Sequence, residues 1–344
     1  MTEQSGPPVD ERQGVETGTE PTATRRPWAV LGRAGEVHNI GLLVVLLLIA
    51  IVGAATQPST FLTGSNVLNI LTTASVIGVV SVGMTFVIIG GGIDLSVGAL
   101  VALASVWCTT VATQSYGLFG MVFAALAVGT AAGLVNGVLI AYGRLVAFIV
   151  TLAMLASARG LAQQISNRQS QIVTVPEFAD IAVVDLLGVP LLVWIFGLVG
   201  AVGWVLLNRT TFGRRTLAIG GNAEAARLAG IDVRRHTALL YTLSGFCCGI
   251  AAVMLAARTN TGASTHGMLY ELDAIAAVII GGTLLTGGRG SLVGSLLGVL
   301  VFTTITNIFV LNNLGTPVQE IAKGAIIVAA VLLQRRATTS PGGA

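Results

Sequence analysis

The chain alternates long apolar runs with short polar breaks. A membrane-crossing helix needs about 20 mostly apolar residues. Runs that meet or approach that length fall at 40–56, 67–90, 95–113, 118–141, 145–163, 186–207, 237–257, 272–286, 291–311 and 318–333, the eighth being short. The pattern predicts an all-α polytopic transmembrane helical bundle of about ten spans, with some helices broken or short. Residues 1–36 are rich in Pro, Gly, Thr and Glu, cannot bury enough surface to fold alone, and read as a disordered cytoplasmic tail. The first apolar run begins too late, and is too long, for a signal peptide. Residues 37–336 then form the transmembrane domain, with a polar loop at 208–236 and a short cytoplasmic tail at 337–344.

The break between the second and third runs reads Gly90-Gly91-Gly92-Ile93-Asp94-Leu95-Ser96-Val97-Gly98. A carboxylate at the centre of a membrane helix costs roughly 2.5–3.5 kcal/mol on insertion scales, and a glycine run breaks helix regularity. Irregular backbone at membrane depth is tolerated only against protein or a wet cavity. The segment is therefore either a cytoplasmic elbow or part of a pathway through the bilayer. With an even number of spans and both ends inside, Arg144, Arg209, Arg214, Arg215, Arg227, Arg234, Arg235, Arg289, Arg335 and Arg336 all fall on the cytoplasmic side, as the positive-inside rule requires. The outer segments hold Arg168 and Arg258, but also Glu177, Asp180, Asp185, Glu271 and Asp273.

Composition agrees with lipid as the solvent. Hydrophobic residues make up 54% of the 344 and charged residues 10%, against about 25% charged in soluble domains. The net charge of +3 gives no reason to expect a nucleic-acid partner. Cys108, Cys247 and Cys248 sit in apolar runs as small core residues, and His38, His236 and His266 are scattered, so no metal site is expected. The only lysine is Lys323, inside the last run. A phosphate-binding loop uses a lysine for the β/γ-phosphates, and no such motif is present. An ATPase or other enzyme is not expected.

The loop at 208–236 carries a short helix with clear punctuation. Asn222 is a good N-cap, Glu224 and Arg227 suit the two ends of the helix dipole, and Gly230 is a natural stop. Two turns are unstable alone in water, so the helix must rest on its own bundle or on a cytoplasmic partner. A faint repeat also appears: residues 91–100 and 287–296 match at five of ten positions. The topology puts both elbows on one side, which argues against a simple inverted repeat.

Three segments together resemble permease subunits of monosaccharide ABC importers, the ribose/xylose type within the ribose/branched-chain amino-acid permease group. Residues 91–98 look like that family's signature, 220–231 like its coupling loop, and 287–294 like its third motif; the likeness spans roughly 40–335. The resemblance implies an ABC importer permease fold in the inner or plasma membrane. It implies two cassette ATPase subunits bound below, a periplasmic or lipid-anchored sugar-binding protein outside, and a second permease copy or sister permease. No cofactor is expected on this chain, since the partner hydrolyses ATP. The rival from another class is a proton-coupled secondary transporter with Asp94 as its titrating site; nucleosides or branched-chain amino acids are alternative cargoes.

The candidate residues follow. Asp94 is expected to cap the start of the third helix, with Ser96 as helper. The two together with Gly91, Gly92, Gly287, Gly288 and Arg289 form the gating elbows. Asn222, Glu224, Arg227 and Gly230 are the ATPase-coupling candidates. Asn69, Thr73, Asn136, Thr306 and Asn307, with Thr72 and Thr151, are polar groups inside apolar runs and candidates for the translocation path or for interhelical hydrogen bonds. Arg159 and Lys323 are expected to snorkel to an interface.

Overall fold

The computed structural model describes residues 2 and 27–339, with side chains described for 2 and 39–332. Most of the expected N-terminal tail, the last residues of the C-terminal tail and the side chains of Arg335 and Arg336 lie outside these. The first helix nonetheless starts at Pro27, inside the segment expected as tail.

In chain order the helices are α1 (Pro27–Thr56), α2 (Gly64–Ile89), α3 (Val97–Cys108), α4 (Val111–Gln114), α5 (Gly117–Ala141), α6 (Ala147–Ser166), α7 (Pro176–Val183), α8 (Leu191–Arg209), α9 (Thr211–Gly221), α10 (Ala223–Leu228), α11 (Val233–Thr259), α12 (Tyr270–Ile280), α13 (Leu292–Leu311) and α14 (Thr316–Thr339). Four two-residue strands form two small antiparallel pairs: β1 (Gln171–Ile172) with β4 (Thr261–Gly262), and β2 (Asp185–Leu186) with β3 (Val189–Pro190). The molecule is an all-α polytopic membrane protein.

Among the described residues, seven helices are long and apolar enough to cross a bilayer: α1 from Asn39, α2, α5, α6, α8, α11 and α13. The other three expected spans correspond to α3, α12 and α14. At 12 and 11 residues, α3 and α12 are roughly 18 Å and 16 Å long at 1.5 Å per residue, short of the ~30 Å hydrocarbon core. They are half-spans, and their starts meet inside the bundle: a side chain on Gly98 would strike the Gly267 carbonyl and the Glu271 carboxylate.

The core is α2, α3 and α11. The apolar stretch of α2 is 89% buried and that of α11 72%, against 11% for α1. α5 reaches α11 through a stripe of small residues. A Cβ on Gly133 would fall on the Tyr241 carbonyl and the Gly245 backbone, and one on Gly137 on the Ala238 backbone. Bare backbones at this crossing allow the close approach that lipid-embedded helices use for packing.

Candidate functional site

Three glycine-bearing segments, far apart in sequence, meet at the end of α2. The Gly288 amide donates to the Ile89 carbonyl at 2.8 Å. A Cβ on Gly220, at the end of α9, would land on that same carbonyl and on the Gly288 nitrogen. One on Gly287 would strike the Gly91 backbone and the Gly220 carbonyl, and one on Gly288 the backbone of Gly221. Gly91, Gly287 and Gly288 have φ of +84°, +84° and +73°, a region only glycine enters freely. The signature segment, the loop helices and the 287–294 segment thus form one junction, in which a shift of α9 bears directly on the end of α2. Both elbows lie at the same end of the bundle, as the arginine distribution predicts. Arg289 is exposed there, its carbonyl accepting from the Leu284 amide at 3.0 Å, and a Cβ on Gly92 would meet the Tyr241 hydroxyl.

From this junction the chain turns back into the bundle and buries Asp94 completely. Oδ1 accepts from the Ser96 amide at 2.9 Å and the Ser96 hydroxyl at 2.6 Å, and Oδ2 accepts from the Ser244 hydroxyl of α11 at 2.9 Å. Asn136 of α5 donates to the Ser96 oxygen at 2.9 Å, and Tyr241 of α11 donates to the Ile93 carbonyl at 3.3 Å. The expected role of Asp94 as helix cap needs correction: Ser96 is the N-cap of α3, without a side-chain cap bond. Asp94 folds the turn that precedes α3 instead and ties it to α11. Among the described residues no cation lies in ion-pair range of this carboxylate. A buried carboxylate in that position depends on its donors. The sequence reading missed Ser244 and Tyr241, since hydroxyls in an apolar helix carry no signal of which neighbour they face.

The polar loop contains two helices where one was expected. Thr210 caps α9 by accepting from Phe212 and Gly213 amides at 3.1 and 3.4 Å. The buried face of α9 is Gly213, Thr216 and Ile219. Thr216 bonds the His236 ring at 2.8 Å, and the Phe212 ring sits 4.5 Å from that of His236 and 6.0 Å from that of Phe86. α9 is thereby wedged between the ends of α2 and α11. Asn222 caps α10 from the Ala225 amide at 2.9 Å, and Gly230, with φ +83°, closes it. Only Ala226 of α10 is buried; Glu224 and Arg227 are exposed and pair with each other, Arg227 Nε donating at 3.0 Å. That hydrogen bond holds the Glu224 carboxyl below its usual range and raises Arg227.

The path candidates are committed to other side chains or to backbone. Arg258 donates to Asn69 at 3.2 Å and Thr73 at 2.8 Å. Asn307 and Asn66 exchange two hydrogen bonds of 2.9 and 3.2 Å. Thr72, Thr151 and Thr306 bond carbonyls within their own helices at 2.7, 2.9 and 3.0 Å. Asn136 keeps a buried carbonyl oxygen without a partner. The charges expected to snorkel do not. Lys323 donates to both Asp273 oxygens at 3.0 Å and lies 5.3 Å from the centre of the Phe302 ring, and Arg159 donates to the carbonyls of Ser264 and His266. A charge with a partner nearby gains more from that partner than from stretching to water. Glu177, Asp180 and Asp185 are exposed at the opposite end from the junction.

Residues 66–331 match the family described as branched-chain amino acid transport system / permease component. Over 308 residues the chain is 40% identical to the ribose import permease protein RbsC of Escherichia coli (strain K12), covering 88% of this chain and 95% of that one. It is 38% identical over 304 residues to RbsC of Bacillus subtilis (strain 168), covering 88% and 94%. It is 36% identical over 325 residues to the L-arabinose ABC transporter permease protein AraH of Azospirillum brasilense, covering 94% and 95%. No solved structure matches the chain.

Proposed function

The chain belongs to the branched-chain amino acid transport system / permease component family, and we propose from that premise that it forms the translocation path of an ATP-binding-cassette importer for a monosaccharide. The observation that carries the cargo class is near-full-length similarity to ribose and arabinose permeases. A proton-driven carrier and an amino-acid or nucleoside cargo are not favoured by these relatives. As a permease subunit in a multi-pass inner-membrane protein, the chain works with an ATPase and a substrate-binding protein.

The finer reading assigns each end a partner. The junction end, with Arg144, Arg209, Arg214, Arg215, Arg234, Arg235 and Arg289, faces the cytoplasm, so that both termini are cytoplasmic. The α10 surface around Asn222, Glu224, Arg227 and Gly230 is where a cassette ATPase engages. Its movement passes through α9 to the glycine junction and the Asp94 turn, which is the gate. Binding energy that differs between inward- and outward-facing states drives the switch. The exposed carboxylates at the far end, Glu177, Asp180 and Asp185, meet the sugar-binding protein. A second copy or a sister permease completes the path. The chain's single lysine is paired with Asp273, which supports the reading that the partner binds and hydrolyses ATP and that this chain holds no cofactor.

The test is gentle purification of the tagged chain from native membranes. A cassette ATPase should be retained by wild type and lost when Glu224 and Arg227 are both charge-reversed. If no ATPase is recovered even after cross-linking, the coupling assignment fails.

A further inference from the structure

The cluster of arginines beside the junction is more than an orientation signal. A surface cavity of about 290 Å³ is lined by Thr211, Phe212 and Arg215 of α9 with Arg235, His236 and Leu239 of α11, and by Asp232. Its two guanidinium groups have no carboxylate within ion-pair range among the described residues. The one lining carboxylate, Asp232, is engaged in capping α11, accepting from the Arg235 amide at 3.0 Å. The lining thus combines two guanidinium groups outside ion-pair range of any described carboxylate with a hydroxyl and the Phe212 and Leu239 side chains, α9 and α11 each supplying one arginine and one apolar group.

Its depth is marked on both sides. α8 is an apolar span that ends at Arg209, and the Arg209 guanidinium lies 5.4 Å from the centre of the Trp204 ring. Trp and Arg at the end of a span mark the headgroup level of a bilayer. α9 begins two residues later, and α11, another span, begins one residue after Asp232. α11 continues the apolar lining past the cavity: Leu239 lines it and Phe246 follows two turns on, the two exposed by 43% and 39%. Spaced seven residues apart, they lie on one face. Cationic groups sit at headgroup depth above an apolar stripe that runs into the hydrocarbon. That order matches a phosphodiester headgroup followed by an acyl chain, and a small soluble phosphate would use only the upper half.

We infer that the cavity between α9 and the start of α11 binds an anionic phospholipid, with Arg215 and Arg235 holding the phosphate and Leu239 and Phe246 contacting an acyl chain. Occupancy would pin α9, the helix that carries Gly220 into the junction, to α11, and so tie gating to the lipid around the protein.

The test uses the full chain in nanodiscs that mix phosphatidylcholine and phosphatidylglycerol, with retained lipid read by native mass spectrometry. Wild type should keep phosphatidylglycerol preferentially, and Arg144→Gln, which removes an exposed arginine outside the cavity, should do the same. Arg215→Gln/Arg235→Gln should lower the preference roughly 30-fold, at about 1 kcal/mol per arginine near the surface. Leu239→Ser/Phe246→Ser, with both arginines intact, should shorten lipid residence without abolishing the preference. An unchanged preference in the double arginine variant overturns the inference. So does displacement of the lipid by inorganic phosphate at equal concentration, which identifies a small-anion site. The inference is also overturned if the permease alone retains no lipid and the arginine variant instead loses the ATPase, which assigns the surface to that protein.

Discussion

Gly220 and Gly221 are adjacent, yet the structure asks very different things of them. A Cβ on Gly220 would occupy the space of the Ile89 carbonyl and the Gly288 amide, whereas a Cβ on Gly221 meets nothing within 4 Å. Gly220→Ala must therefore break the 2.8 Å hydrogen bond from Gly288 to Ile89. Leaving those groups unpaired costs about 1–3 kcal/mol, and the forced backbone shift costs about 1–3 kcal/mol more. The better helix propensity of alanine returns at most about 1 kcal/mol. The balance is centred near 3 kcal/mol, which displaces a two-state equilibrium about 100-fold. Gly221→Ala should stay within about 0.5 kcal/mol of wild type. The assay is ATP-driven sugar uptake by proteoliposomes that contain the permease, its ATPase and its binding protein, normalised to inserted permease. Gly220→Ala should insert and lose most of its uptake, and Gly221→Ala should keep it. Normal uptake by Gly220→Ala, or an equal loss in Gly221→Ala, refutes the claim that the junction is a tight backbone contact on which gating depends.

Other predictions rest on the same geometry. Ser244→Ala removes the only donor to Asp94 Oδ2 among the described residues and should destabilise the detergent-solubilised protein by about 1–3 kcal/mol, read as a lower unfolding temperature; an unchanged temperature contradicts the tie. If Asp94 holds the gate, Asp94→Asn should insert yet transport poorly, whereas near-normal uptake reduces the turn to a structural feature. The Glu224 carboxyl should titrate below 4.5 in a carbon-13 NMR titration. The Glu224–Arg227 contribution to α10 is then complete above 4.5 and is lost only as pH falls through the lowered midpoint. A midpoint at or above 4.5, or one unmoved by Arg227→Gln, argues against the pair.

Much of this architecture was legible in the hydrophobic pattern. Each of the ten apolar runs corresponds to a helix, and the Asn222 cap and the Gly230 stop stand where their chemistry places them. Periodicity could not reveal that α3 and α12 are half-spans. Their apolar character continues through turns such as 281–286, where backbone geometry rather than hydropathy ends the helix. α9 was hidden because its sequence is polar on one face and glycine-rich at its end, so it reads as loop until Phe212 and Thr216 find His236 and Phe86. The glycine motifs were visible one at a time. That 91, 220 and 287–288 touch is a long-range fact with no local signal. The same holds for Lys323 and Arg159, whose partners lie 50 and more than 100 residues away.

The measurement that bears most directly on the central claim is reconstituted transport. The chain would be placed in proteoliposomes with its cassette ATPase and the sugar-loaded binding protein, and labelled sugar uptake and ATP hydrolysis followed together. The account predicts that both need all components and that sugar-loaded binding protein stimulates hydrolysis. Uptake driven by a proton gradient with no ATPase present would contradict it.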